Sequence, residues 1–308
     1  MPSQYFVFLR RVFVTLFLIC LAGLDGARAA EISYPKSGSG RQISGVLIEG
    51  PIVAGDFDKF EYMILNSEAE HVFLASPGGN LLEAMKIGEL IRKMKLSVVA
   101  PEENQEVWSI MVRVRDPANN VCASACFFIY AGGVNRSGEV LGIHRPRITD
   151  DALRSASLDQ AASGLASINE VASAYLRKMG IPYSVIDKMN SVNPEDMHWL
   201  SEEDFRSLSG YIPEYQDWLD AKCPSFEIGL RVQAKPCEGC SVDEMMRNHD
   251  DAVENEIFAC KEILISLERI DIRQKIIDEY FNSGRLKELI EKKKVWGLTE
   301  VEPEGGLN

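Results

Sequence analysis

The stretch Val72-Phe73-Leu74-Ala75-Ser76-Pro77-Gly78-Gly79-Asn80 decides the fold. His71 to Ala75 is a short apolar run, too brief for a helix, and reads as a buried strand. Ser76 to Gly79 is a turn, because proline presets its φ and glycine reaches conformations closed to other residues. Asn80 then caps a helix running to about Met94, in which Leu82, Met85, Ile87, Leu90 and Ile91 form a broad apolar face. Leu96 to Ala100 is the next strand. Strand, crossover helix and strand make a βαβ unit, so the sheet is parallel here and the class is α/β.

The same alternation continues outward. Upstream, Ile43 to Glu49 alternates and is β-rich, so it reads as a strand, and Asp56 caps a helix over Phe57 to Asn66. Residues 30–42 are polar, include Ser37-Gly38-Ser39-Gly40, and read as a flexible lead-in. Downstream, 101–119 reads as a polar insertion, apolar only around Val107 to Val114. Ser124 to Tyr130 suits a buried helix, and Glu139 to Ile143 a strand ending at His144. Helices follow over roughly 152–179, from Pro182 to about Met189, and from Ser201, whose Glu202 and Glu203 suit a helix's positive end.

Acyl transfer by serine needs a nucleophile, a base within hydrogen-bond reach and N–H donors for an oxyanion. Ser124 lies in Cys122-Ala123-Ser124-Ala125-Cys126, between small residues that let a carbonyl approach. A helix starting there aims free N–H groups at a developing charge, which makes Ala125 one donor. Gly78 and Gly79 supply the other, since a glycine turn lets backbone approach a ligand closely. His144 stands at a strand end before Arg145-Pro146. Singly, each has a plainer explanation as packing or turn chemistry; it is the set, in this order, that points to catalysis.

That set resembles a known family. The segments Val72 to Asn80, Cys122 to Cys126 and Gly142-Ile143-His144-Arg145-Pro146 look like the Clp protease proteolytic subunit, and more closely its exported bacterial relatives. The resemblance covers about residues 43–210. It implies a ClpP/crotonase-like spiral of ββα units, with Ser124 as nucleophile, His144 as base, and Gly78, Gly79 and Ala125 around the oxyanion. The family places an aspartate four residues before a helix-opening serine. Here Ser201 opens the helix, Met197 holds that place, and Asp196 is one position off. The third role therefore falls to Asp196, to a carbonyl, or to no group at all.

The chain has 308 residues, 46% of them hydrophobic, and a mean hydropathy of −0.09, enough apolar material for a core. Its net charge of −13 and pI near 4.9 argue against binding nucleic acid or an anionic membrane. Arg10 and Arg11, the apolar run Val12 to Leu24, and Ala27-Arg28-Ala29 are laid out as a secretory signal peptide over residues 1–29. The run is shorter than the roughly 20 residues of a spanning helix. An uncleaved inner-membrane anchor over 12–24 is the alternative. Ile19 before Cys20 argues against lipidation.

Seven cysteines less Cys20 leave six in the mature chain: Cys122, Cys126, Cys223, Cys237, Cys240 and Cys260. An even number in an exported protein favours disulfides, with the last four pairing among themselves. Cys237 and Cys240 form one C-x-x-C but lack a second ligand pair, so no metal is expected. The domain reading is a ClpP-like unit over 43–220 and a cysteine-containing helical module over 221–308. Pro224-Ser225-Phe226-Glu227 and Glu256 to Cys260 in that module resemble a periplasmic lysozyme-inhibitor-like domain, with Ile228 where that family has its first cysteine.

The expected function is a periplasmic or secreted serine hydrolase, a peptidase without cofactor. Its substrates would be peptides or unfolded segments, and it would work as a homo-oligomer. No ATPase partner is expected, because the periplasm has no ATP. Acyl-CoA chemistry, used by crotonases, is excluded by export, and a non-catalytic peptide-binding scaffold is the alternative. N-terminal sequencing of the exported protein should show a chain beginning at Ala30. A membrane-retained chain still carrying Met1 would establish the anchor instead.

Overall fold

The computed structural model describes residues 29–147, 158–232 and 239–296. Residues 1–28 of the expected leader and Cys237 lie outside them. The described residues form a mixed α/β structure with two sheets. In the six-stranded sheet the order is β1 (Glu31–Ser33), β2 (Gly45–Glu49), β3 (His71–Ala75), β4 (Ser97–Val99), β6 (Asn135–Ser137) and β9 (Gly210–Tyr211). Its four inner strands are parallel, and the edge strands β1 and β9 run antiparallel to their neighbours. A second sheet joins β5 (Cys122–Ala123) parallel to β7 (Leu141–Ile143), with β8 (His198–Trp199) antiparallel on the far side of β7.

Both faces of β2, β3 and β4 are covered, which is why Val72 to Ala75 reads as a continuous apolar run. Val46, Ile48, Val72, Leu74 and Val98 face the main core. It is closed by α1 (Asp56–Leu65), α2 (Leu81–Lys93) and α4 (Ala125–Gly132). Leu47, Phe73 and Val99 face a second cluster built on Trp108 and Val112. The expected insertion thus has a packing task. Asn104 caps α3 (Gln105–Met111), Trp108 is fully buried, and its indole N–H donates to Asn120 at 3.0 Å. Residues 30–42 also carry more structure than their composition signals, since β1 completes the sheet and the Tyr34 hydroxyl donates to the Met63 carbonyl. A three-residue edge strand is too short to leave a pattern.

The caps divide. Asn80 caps α2 as expected, accepting from the Glu83 N–H at 3.1 Å. Asp56 instead opens α1 from within, and Gly55 is the capping residue. The carboxylate of Glu83, one helix away, accepts the Gly55 and Phe57 N–H groups. Ser201 caps α7 (Glu202–Arg206) in a reciprocal capping box with Asp204.

The helix that carries the site, α4, is buried at every residue. It crosses α2 in backbone contact: a Cβ on Gly132 would lie 2.3 Å from the Gly88 carbonyl oxygen. Its last carbonyls have no partner within the helix, and two guanidiniums supply one. Arg136 donates to the Ala131 and Met179 carbonyls, and Arg92 to those of Ala131, Gly132 and Gly133.

Beyond α5 (Leu158–Lys178), α6 (Tyr183–Ser191) and α8 (Pro213–Lys222), the Cys223–Cys260 disulfide ties the end of α8 to the long helix α10 (Val242–Ser283). Cys240 is disulfide-bonded as well. Between α8 and α10 lies α9 (Ser225–Arg231), and α11 (Arg285–Trp296) follows α10. Ile276 of α10 and Leu289 of α11 join the main core. Arg285 pairs with Asp58 and Glu61 of α1, and Lys292 reaches Asp58 at 2.6 Å. No described helix is long and apolar enough to cross a membrane.

Because the α2–α4 crossing leaves no room for a methyl group, Gly132→Ala is expected to cost about 1–3 kcal/mol of stability, the usual range for overpacking. A lowered urea midpoint with unchanged slope checks it.

Candidate active site

The site is assembled where three strand ends meet. Ser76, just past β3, bridges to Cys122. Its N–H donates to the Val121 carbonyl at 2.7 Å, and the Ala123 N–H returns to the Ser76 carbonyl at 3.1 Å. On the other side the Ser124 N–H donates to the Gly142 carbonyl of β7 at 2.9 Å. Between these anchors the chain turns from β5 straight into α4.

The turn falls on Ser124, at φ 54° and ψ −122°. Among the described non-glycine residues only Lys95 shares a positive φ. Such a conformation costs on the order of 1–3 kcal/mol and persists only where its surroundings hold it. A serine on a strained strand-to-helix turn projects its hydroxyl clear of the backbone, the geometry that suits a nucleophile. The Cys122–Cys126 disulfide spans the same turn.

His144 follows β7 directly. Its Nε2 lies 2.7 Å from Ser124 Oγ, and its Nδ1 lies 2.9 Å from the Arg145 carbonyl oxygen. A carbonyl only accepts, so this contact puts the proton on Nδ1 and leaves Nε2 as the acceptor facing the serine hydroxyl. That is the tautomer a general base requires. The Arg145 N–H donates to the Val192 carbonyl at 3.2 Å, which steadies the residue that orients the ring.

Of the expected site residues, the structure brings together Ser124, His144, Gly79 and Ala125, which line one cleft of ≈ 330 Å³. It does not bring Asp196 onto the ring. The Asp196 carboxylate accepts from Asn193 Nδ2 at 3.3 Å, while the Arg145 carbonyl occupies Nδ1.

The two glycines have different positions. The Gly78 N–H donates to Ser76 Oγ at 3.1 Å, so it is already engaged. What Gly78 contributes is space: a Cβ there would stand 2.7 Å from Ser124 Cβ and 2.9 Å from the Ala125 nitrogen. Gly79 is bridged to Ile52, with Ile52 N–H donating to the Gly78 carbonyl and Asn80 N–H to the Ile52 carbonyl, both at 2.8 Å. This register turns the Gly79 N–H away from Ile52. The Ala125 N–H, first in α4, likewise has no intrahelical acceptor.

The remaining lining was missed from sequence. Phe128 lies one turn along α4 from Ser124 and Leu81 directly follows the Asn80 cap, so their places in the two helices are the signal that marks them. Pro194, Glu195 and Met197 come from the loop before β8, and Arg147 from beyond His144. No local pattern marks these. Ser76 and the Arg145 carbonyl act through hydrogen bonds that only the folded chain makes.

No protein family and no curated protein matches this chain. Solved structures do. A point mutant of ClpP1 from Listeria monocytogenes is 21% identical, over 54% of this chain and 87% of that one, with a TM-score of 0.37. ClpP1 from Listeria monocytogenes is 19% identical, over 53% and 85%, with a TM-score of 0.35. A mutant of a membrane-bound stomatin-specific protease is 18% identical, over 57% and 82%, also at 0.35. At such values none of these likenesses bears on the site, which rests on its own geometry.

Removing a carboxylate that orients a catalytic histidine costs about 10⁴-fold in rate; with the Arg145 carbonyl on Nδ1 and Asp196 on Asn193, Asp196→Asn should change fluorophosphonate labelling of the protein far less than that. A loss near that figure would return Asp196 to the ring.

Proposed function

We propose that this chain is a serine hydrolase of the ClpP-like kind, a peptidase that acts after export from the cytoplasm. The observation that carries the reading is the 2.7 Å contact between Ser124 Oγ and His144 Nε2, with the opposite ring nitrogen on a carbonyl. His144 takes the hydroxyl proton as Ser124 attacks a carbonyl carbon. The oxygen that becomes negative is met by the Ala125 and Gly79 N–H groups and by the positive end of α4. His144 then gives its proton to the leaving amine. Water, deprotonated by the same ring, releases the acyl group from Ser124.

Several features support a peptide as the substrate. The cleft is open, and apolar Leu81, Phe128 and Met197 stand beside Ser124, a setting for a side chain next to the scissile bond. A ββα spiral, a homo-oligomer and a periplasmic location belong to the same proposal, on the strength of the sequence motifs and the leader. The site works as a dyad with a carbonyl as third partner. Loss of the carboxylate lowers the rate in such sites without ending the chemistry.

The Arg145 carbonyl in place of a carboxylate also favours a second reading, a scaffold that binds peptide without cleaving it. A serine-reactive fluorophosphonate separates the two. Wild type should be labelled at Ser124, and Ser124→Ala and His144→Ala should each lose labelling and peptide hydrolysis by about 10⁴-fold or more. An unlabelled wild type that still binds peptide is the scaffold.

A further inference from the structure

We propose that the Cys122–Cys126 disulfide is a positioning device for Ser124, holding the strained turn that aims its hydroxyl at His144. Ser124 stands midway between the two cysteines. One belongs to β5 and the other to the first turn of α4, so the bond crosses the strand–helix junction. The Cα atoms it joins are 5.2 Å apart. Both cysteines are fully buried. The bond is therefore out of reach of solvent reductants while the fold is closed, which suits a permanent brace.

The hydrogen bonds at the turn act on either side of it. The Ser124 N–H is fixed to Gly142, and the Ser124 carbonyl accepts from the Phe127 N–H at 3.1 Å. The Cα–Cβ bond is rigidly attached to the backbone between them. Any relaxation of φ 54° towards the ordinary negative range swings Oγ with it. The disulfide closes a ring of five residues around this point and opposes that relaxation. The second disulfide, Cys223–Cys260, lies between α8 and α10 and touches none of these groups, so it serves as the control.

The kinetic part of the test rests on the hydrolase reading, and the geometric part does not. Cys122→Ala/Cys126→Ala should lower the limiting rate of fluorophosphonate labelling by about 10–100-fold, as a small displacement of a reacting group does, with the half-saturating concentration unchanged. The ¹⁵N resonance of His144 Nε2 should move to the value of a ring free of the serine hydroxyl. Cys223→Ala/Cys260→Ala should lower the thermal midpoint and leave both readouts alone.

If the first variant fails to fold, dithiothreitol supplies a second measurement in the Cys223→Ala/Cys237→Ala/Cys240→Ala/Cys260→Ala background, since Cys240 is disulfide-bonded as well. At a urea concentration below the unfolding midpoint, two electrons and two protons turn the bond into two thiols, and the reagent becomes its cyclic disulfide. Labelling should fall, and return on reoxidation with oxidised glutathione. Wild-type labelling and an unchanged His144 resonance in the reduced or substituted protein would overturn the proposal. A wild type that is never labelled sinks the hydrolase reading, and the His144 resonance alone then decides the brace.

Discussion

Everything at the site depends on a short helix, Ala125–Gly132, that is buried at every residue. A buried helix has no water to receive its unpaired ends, so each end must be answered by the protein. At the C-terminal end the answer is Arg92 and Arg136, whose guanidiniums converge on the Ala131 to Gly133 carbonyls and on Met179. Burial, and then the neighbouring Arg92, pushes Arg136 down to about 10, so it stays charged at neutral pH. Two like charges are tolerated side by side because both face the negative end of the helix. At the N-terminal end the answer is partial: the Phe127 N–H turns back to Ser124, while Ala125 opens on the cleft. The free donor is the part of the helix that has chemistry to offer.

The neighbouring elements follow from fixing this helix. Its crossing with α2 needs Gly88 and Gly132, because backbone meets backbone there. Tyr175 of α5 donates to the Phe128 carbonyl at 2.8 Å, so the helix after the site also locks onto it. Strands β5 and β7 bring Ser124 and His144 to adjacent strand ends, and a parallel register of two residue pairs sets their separation. Short strands suffice because the disulfide, the Ser76 bridge and the Gly142 carbonyl restrain the same turn.

The C-terminal helices are held to the body by charge as well as apolar contact. Burial pushes the Asp58 carboxyl up, but hydrogen bonds from Lys292 and Arg285 outweigh it and hold it below the usual range. The contribution of this cluster is therefore present above the ordinary carboxyl value of roughly 4, and is lost as pH falls through the lowered one. Tyr280 donates to Glu61, which places α10, α11 and α1 in one network. That network ties to the body a long helix that keeps many apolar residues exposed.

The sequence by itself determined the elements whose signals are local. The strand before Ser76, the glycine turn, the Asn80 cap and the apolar run after Ser124 were legible, because period, cap and turn chemistry depend on neighbours a few residues away. The order of the motifs also named Ser124 and His144 as a pair. Tertiary structure alone decided the rest, because it depends on residues far apart in the chain. It assigned His144 Nδ1 to the Arg145 carbonyl and left Asp196 with Asn193. It took Gly78 N–H for Ser76 and turned the Gly79 N–H away from Ile52. It gave the polar segment around Trp108 a core of its own and added β1 to the sheet. Hydrogen-bond partners are settled by directions and distances of a few tenths of an ångström. Those are fixed only when strands from separate parts of the chain come into register, and no spacing along one segment encodes them.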